Sequence, residues 1–317
     1  MASARAELTG WRTYHTPRTA ACVETGVEAA RCAMLHVPFS TMTLSLVLGV
    51  ALSAVPALGF VQATDWYERA STPAHFQPLQ LVDGDLRTAW CAASSDAQAD
   101  ALRFGFATMV VVDEVRIGTG NQADTAAFHA SARPRKFVLR TDGRASTFSV
   151  ADTEGLQSVK LDAPLQGWEF TLEVLDVEPA EDPAAPACVS EVQLVSHGKP
   201  TPHPKKALLQ WNPERARLLG IWYAGDEGNP DQSLAFFIDG SWQFRAVVYD
   251  EPTRPKTTTG TWGLDRKGLW MKAPGSGKGR VTPALETKAD PRGKGRTTLQ
   301  LKGGVPAALR ATFRDRR

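Results

Sequence analysis

The densest group of residues able to do chemistry is Asp83-Gly84-Asp85-Leu86-Arg87-Thr88-Ala89-Trp90. Two carboxylates flank a glycine that permits a tight turn, and a hydroxyl and a large aromatic ring follow. Hard oxygens gathered on a turn suit Ca²⁺, which takes about 6 to 8 oxygen ligands and can draw the remainder from backbone carbonyls. An Asp-Gly turn whose side chains cap their own backbone accounts for the same residues without a metal. A second polar group lies between Thr119 and Arg133. There Asn121 and Gln122 can donate to and accept from hydroxyls, His129 can do either according to tautomer, and Arg133 offers a fork of donors for an acidic sugar. A plain surface loop explains each of these side chains taken singly. The sequence contains no GxSxG, no HExxH and no P-loop, and its six histidines (15, 36, 75, 129, 197, 203) are scattered, so a non-catalytic binding protein is expected.

The stretch Gly118-Thr119-Gly120-Asn121-Gln122-Ala123 imitates a dinucleotide fingerprint. Asp113, Glu114 and Arg116 interrupt the strand before it, which a buried parallel strand does not tolerate, and Pro134 cuts the following helix short.

The elements that must hold these groups are short strands. A length of 317 residues suggests two domains, and 43% hydrophobic with 22% charged residues is ordinary globular usage. From Trp66 onward apolar and polar residues alternate in short runs broken by Gly, Pro, Asp or Asn, which predicts antiparallel sheet. Strands are expected over 101–106, 114–118, 136–141, 158–161, 169–177 and 189–196. The Pro-rich segment 198–210 reads as a stiff linker. Eight further strands, near 219–224, 233–239, 242–249, 257–263, 268–272, 279–286, 296–302 and 308–314, fit an up-and-down barrel closed on itself, with Gly-rich hairpins at 273–280 and 291–296. Net charge is +2 overall, but residues 64–204 carry 11 Lys and Arg against 20 Asp and Glu, and residues 205–317 carry 21 against 11. The basic half could meet an anionic cell-surface polymer, although a solvated basic face explains it equally. No specific nucleic-acid partner is expected.

Twenty uncharged residues run from Met42 to Val61. A cleaved signal peptide, a membrane anchor and a buried helix all fit such a run. With no basic stop before Arg69, export with cleavage after Ala63 is the expectation, and the membrane enters only if the segment stays uncleaved. Of four cysteines, Cys91 and Cys188 fall in the exported part. They form one bridge in an oxidising compartment or remain two buried thiols.

Ala70-Ser71-Thr72, Leu81-Val82-Asp83-Gly84-Asp85, Thr88-Ala89-Trp90 and the closing Cys188-Val189-Ser190-Glu191-Val192 together resemble the discoidin-like jelly roll of the coagulation-factor C type. Within that family they are most similar to the translocation domain of a secreted bacterial NAD glycohydrolase. The resemblance spans about residues 65–197 and does not include the NAD-cleaving domain, so that activity is not carried over. It implies a structural Ca²⁺ site at Asp83, Asp85, Thr88 and Glu191, and it brings Cys91 close to Cys188. Leu219-Gly220-Ile221-Trp222-Tyr223 resembles the lipocalin opening motif, in which the tryptophan closes the barrel floor.

The expectation is therefore an exported all-β protein: an extension with signal or anchor (1–63), a galactose-binding-like jelly-roll sandwich (64–197), a linker (198–210) and a small lipocalin-like up-and-down β-barrel (211–317). Its expected role is recognition of a glycan or cell-surface polymer. An envelope-assembly protein without a small ligand is the alternative, and an unrecognised hydrolase stands third.

Overall fold

The computed structural model describes residues 55–93, 101–226, 229–246, 256–289, 295–305 and 309–315. Its first half is a sandwich bent out of one sheet, assembled from β1 (Leu58–Ala63), β2 (Trp90–Cys91), β3 (Leu102–Thr119), β4 (Arg133–Thr141), β5 (Arg144–Ser149), β6 (Gln157–Glu178), β7 (Cys188–Ser196) and β8 (Lys199–Pro200), with the short helix α1 (Thr125–Ala130) between β3 and β4. The two long strands β3 and β6 pass from one layer to the other. Leu102–Gly105 pairs with β1 and with Glu169–Leu172 of β6, whereas Val110–Ile117 pairs with Gln157–Gly167 of β6 and its end with β7. Register shifts between Gly105 and Val110 and between Val112 and Glu114 let β3 bend without losing its partners. These breaks are why β3 and β6 each read as two separate strands. Phe104, Phe106, Phe137 and Phe170 fill the space between the layers, all 1% exposed or less.

The second half is a closed barrel of β9 (Gly220–Asp226), β10 (Asn229–Phe236), β11 (Ser241–Ala246), β12 (Lys256–Asp265), β13 (Gly268–Lys272), β14 (Gly279–Ala289), β15 (Gly295–Gly303) and β16 (Thr312–Asp315), preceded by the short helix α2 (Pro213–Leu218). Each strand pairs antiparallel with the next, and β16 returns to β9. The chain is thus all-β, a jelly-roll sandwich followed by an up-and-down barrel. Trp242, Phe236, Phe313 and Leu299 are fully buried inside the barrel. Each buried indole N–H finds a backbone carbonyl: Trp222 donates to Leu218 at 2.9 Å, Trp242 to Thr261 and Trp262 to Phe237, both at 3.1 Å. The turn at 291–294, inside one expected hairpin, lies outside the described residues.

Two expected boundaries differ in the structure. The sandwich begins before residue 64, because β1 is hydrogen-bonded to β3 along its length. Leu58, Phe60 and Val61 belonged to the apolar run read as an export segment; they are apolar because both sides of β1 are covered, which produces the same uninterrupted hydrophobicity. On one side, a Cβ on Gly59 would come within 2.4 Å of Phe237 of the barrel. The rest of that run, up to Ala54, lies outside the described residues. Among the described residues no helix is long and apolar enough to cross a membrane. The linker is not a free spacer either: β8 pairs with β7, and Thr201 N–H donates to Leu194 at 2.9 Å.

Sandwich and barrel also form one compact unit from Leu52 to Arg317. Ile238 N–H donates to Gly59 at 2.6 Å, Gln62 to the Leu219 carbonyl, and Arg245 to the Ala107 carbonyl at 2.9 Å while lying over Trp168. Burial under these contacts lowers Arg245 to about 10, still a cation at neutral pH.

Candidate functional site

One end of the sandwich gathers most of the exposed chemistry, and a disulfide anchors it. Cys91 of β2 and Cys188 of β7 are register partners and are bonded to each other, closing a 97-residue separation. Phe76 packs on this bridge, with the His75 ring stacked on it at 3.8 Å and Tyr67 tilted against it at 5.7 Å. The turn between Trp66 and Phe76 is fixed by Tyr67 N–H donating to Cys91 at 2.9 Å and by Ser71 and Thr72 N–H groups donating to the Glu68 carbonyl. Glu68 and Phe76 both take φ of 56°, the left-handed region that residues with a Cβ usually avoid. Glu68 holds the surface polar groups together: its carboxylate accepts from Thr72 Oγ1 at 2.9 Å and stands 3.5 Å from His75 Nδ1. Tyr67 leaves 36% of its surface in solvent. The sequence reading missed this group.

The stretch 119–133 meets the same bridge from the other side, with Gly120 N–H donating to the Cys188 carbonyl and Cys188 N–H to Ala132. It does not present the four side chains as expected. Arg133 is only 7% exposed. Its guanidinium donates to Asp152 at 2.8 Å and to the Ser131 carbonyl at 2.9 Å, and it lies over Phe128. A buried guanidinium requires such a counter-charge, and Arg133 in turn holds Asp152 below the usual carboxylate range. Gln122 is likewise occupied, donating to Thr119 and accepting from Gly155 N–H at 2.9 Å. Asn121 Oδ1 accepts from Ala123 N–H at 3.2 Å and shapes the turn. Of the four, only His129 is exposed, its ring set edge-on to Phe128. The free fork of donors expected at Arg133 is absent because that side chain serves the fold.

The acidic turn does meet Glu191. Asp83 accepts from Thr88 Oγ1 at 2.8 Å, and Glu191 accepts from Gly84 N–H at 3.2 Å. Asp85 differs from the expectation: both its oxygens are taken by Arg87, at 2.9 and 2.8 Å, which pulls it down to about 2. Among the described residues no three His, Cys, Asp or Glu side chains form a metal-holding group. The donors that fit a hard cation are thus Asp83, Glu191 and the Thr88 hydroxyl, with Asp85 contributing charge alone.

His203, from the expected linker, closes over this turn. One ring nitrogen lies 3.1 Å from the Val82 carbonyl and the other 3.1 Å from Gln193 Nε2. His203 Nδ1 also stands 3.5 Å from Glu191 Oε1. Glu191 also faces Asp83 and Asp85, and burial first, with those carboxylates adding, pushes it up to about 8.

No family model matches the sequence, and no curated protein matches it. Among solved structures, the chain is similar to the family 32 carbohydrate-binding module of AlyQ in complex with 4,5-unsaturated mannuronic acid, at 15% identity over 45% of this chain and 98% of that one, with a TM-score of 0.33. It is also similar to a pectin-binding carbohydrate-binding module, at 12% identity over 45% and 94% with a TM-score of 0.32. A third is the family 32 module of NanJ from Clostridium perfringens in complex with galactose, at 16% identity over 42% and 90% with a TM-score of 0.30.

Proposed function

We propose that the protein is an exported, non-catalytic glycan-binding protein and that the disulfide end of the sandwich is its binding face. The observation that carries this reading is the Tyr67, His75 and Phe76 cluster, an exposed aromatic surface fixed by a strained turn and backed by the Cys91–Cys188 bridge. An aromatic face covers the apolar side of a sugar ring, and a platform already rigid loses little entropy on binding. Glu68 and His75 beside it supply an acceptor and a donor for hydroxyls, with His129 and Asn121 at the far edge of the same end. A bridge of this kind persists in oxidising compartments, which supports export. Ca²⁺ is proposed as a structural ion held by Asp83, Glu191 and Thr88 with backbone carbonyls; it would add positive charge between the facing carboxylates of Asp83 and Glu191.

A glycan array with the full chain tests the function. Tyr67→Ala and His75→Ala are each expected to lower binding of the retained glycan about tenfold or more, the loss of one good contact, with melting nearly unchanged. A blank array for the wild type would refute the glycan reading and favour the envelope-assembly alternative.

A further inference from the structure

A second site lies where the sandwich meets the barrel, apart from the glycan face. A cavity of about 770 Å³ opens between the turn after β1, helix α2 and the barrel strands β9, β14, β15 and β16. That volume lies in the range of small-molecule pockets.

Its lining combines three features that no single fold requirement explains. The first is an apolar wall of aromatic and aliphatic side chains. Trp66 and Trp211 meet edge to face with centroids 5.4 Å apart, and Ile221 and Leu285 continue the lining.

The second is an unsatisfied donor. Trp66 is 7% exposed and its indole N–H has no acceptor. The buried indoles of the barrel all have one, and a buried donor left unpaired is rare and costly. An acceptor carried by a ligand would complete it.

The third is charge. Arg69, Arg103 and Arg217 line the cavity against one carboxylate, Asp315, whose Oδ1 accepts from Thr297 N–H. Arg103 is neutralised by Glu169 at 2.7 Å. Arg69 reaches Asp65 at 3.3 Å in a half-exposed pair and lies over the Trp66 ring. Arg217 is exposed. Arg217 is thus the cation of this lining without an ion-pair partner among the described residues, and it stands with an aromatic surface and an indole N–H that has no acceptor.

We propose that this cavity binds a small organic carboxylate with a flat apolar body. The carboxylate would sit between Arg217 and Arg69 and accept from the Trp66 indole, and the body would lie against Trp211. The proposal does not rest on the glycan reading, since none of these side chains belongs to the Tyr67, His75 and Phe76 face.

The test titrates the full chain with 1-naphthoate by calorimetry and by tryptophan fluorescence, with 1-naphthylmethanol as the neutral counterpart. The expected result is one saturable site for naphthoate and about tenfold weaker binding of the alcohol, since a charge-assisted contact is lost. Arg217→Ala removes an exposed cation with no ion-pair partner among the described residues, and Trp66→Phe removes the indole donor. Each is expected to weaken naphthoate about tenfold or less while glycan-array binding persists. Absence of saturable naphthoate binding, equal affinity for the alcohol, or unchanged affinity in Arg217→Ala would overturn the proposal. A failed fold in Trp66→Phe leaves Arg217→Ala to decide.

Discussion

Glu191→Gln should stabilise the protein in neutral and alkaline buffer containing a chelator. The carboxylate is 3% exposed, faces Asp83 and Asp85, accepts from Gly84 N–H at 3.2 Å and from Gln193 at 3.5 Å, and stands 3.5 Å from His203 Nδ1. A carboxyl raised from 4.5 to about 8 prefers its proton in the folded state. Its contribution to stability is therefore complete below about pH 4.5 and is lost as pH rises through about 8. At about 1.4 kcal/mol per pH unit the loss is at most about 5 kcal/mol, which for a unit of this size corresponds to roughly 10 °C in melting temperature. Glutamine keeps the shape and can still accept from Gly84, but carries no charge.

The assay is melting temperature from pH 5 to 8.5 for the wild type and the variant, each with chelator and with excess Ca²⁺. The difference between the two proteins separates Glu191 and the His203 it contacts at 3.5 Å from distant titrating groups. With chelator the variant should gain on the wild type as pH rises. With Ca²⁺ the wild type should recover, because an ion binding only the folded, ionised form adds RT ln(1 + [L]/Kd), and the variant should not. A Glu191→Gln protein that melts below the wild type at pH 8 in chelator would refute the burial argument. A wild type indifferent to Ca²⁺ would remove the proposed ion.

Replacing Cys91 and Cys188 with Ser should lower stability by about 4 to 5 kcal/mol, the chain-entropy value for a loop near 97 residues, and non-reducing peptide mapping of the wild type should recover the linked pair. Arg133→Ala should cost about 2 to 4 kcal/mol in chemical denaturation, less than a fully buried pair because Asp152 is partly exposed, and should leave the glycan array unchanged. Because Arg133 depresses Asp152, that contribution is present above the ordinary value of 3.8 and disappears only as pH falls below it. Amino-terminal sequencing of the mature protein should find a start before Leu58, and a chain begun at Thr64 should melt lower, since it lacks Phe60 and Val61, each worth roughly 1.5 to 3 kcal/mol of burial.

The barrel could be read almost strand by strand because its pairing is local. Every strand adjoins the next in sequence, one face is packed and the other wet, so alternation and turn residues mark both ends; β13 was expected at 268–272 and is found at Gly268–Lys272. The sandwich is harder for definite reasons. β5 carries one large apolar residue, Phe148, among short polar ones and its alternation is too faint to mark a strand. β1 is covered on both sides, and a strand without a wet face cannot be told by periodicity from an export segment.

The site divides along the same physical line. Asp83, Thr88 and the cysteine pair could be placed because adjacent residues or a closing motif bring them together. Burial and backbone handedness are different, because neither belongs to a residue type. Arg133 is the same side chain whether it reaches for a ligand or is held by Asp152, nineteen residues further on, and only the path of β4 into the sheet decides between them. Tyr67, His75 and Phe76 meet through left-handed turns at Glu68 and Phe76, where the sequence has no glycine to announce them. Backbone strain held by a disulfide-anchored turn needs compensation elsewhere in the fold, and such strain concentrates at sites that bind or react. That favours this turn over the polar loop opposite as the proposed recognition face.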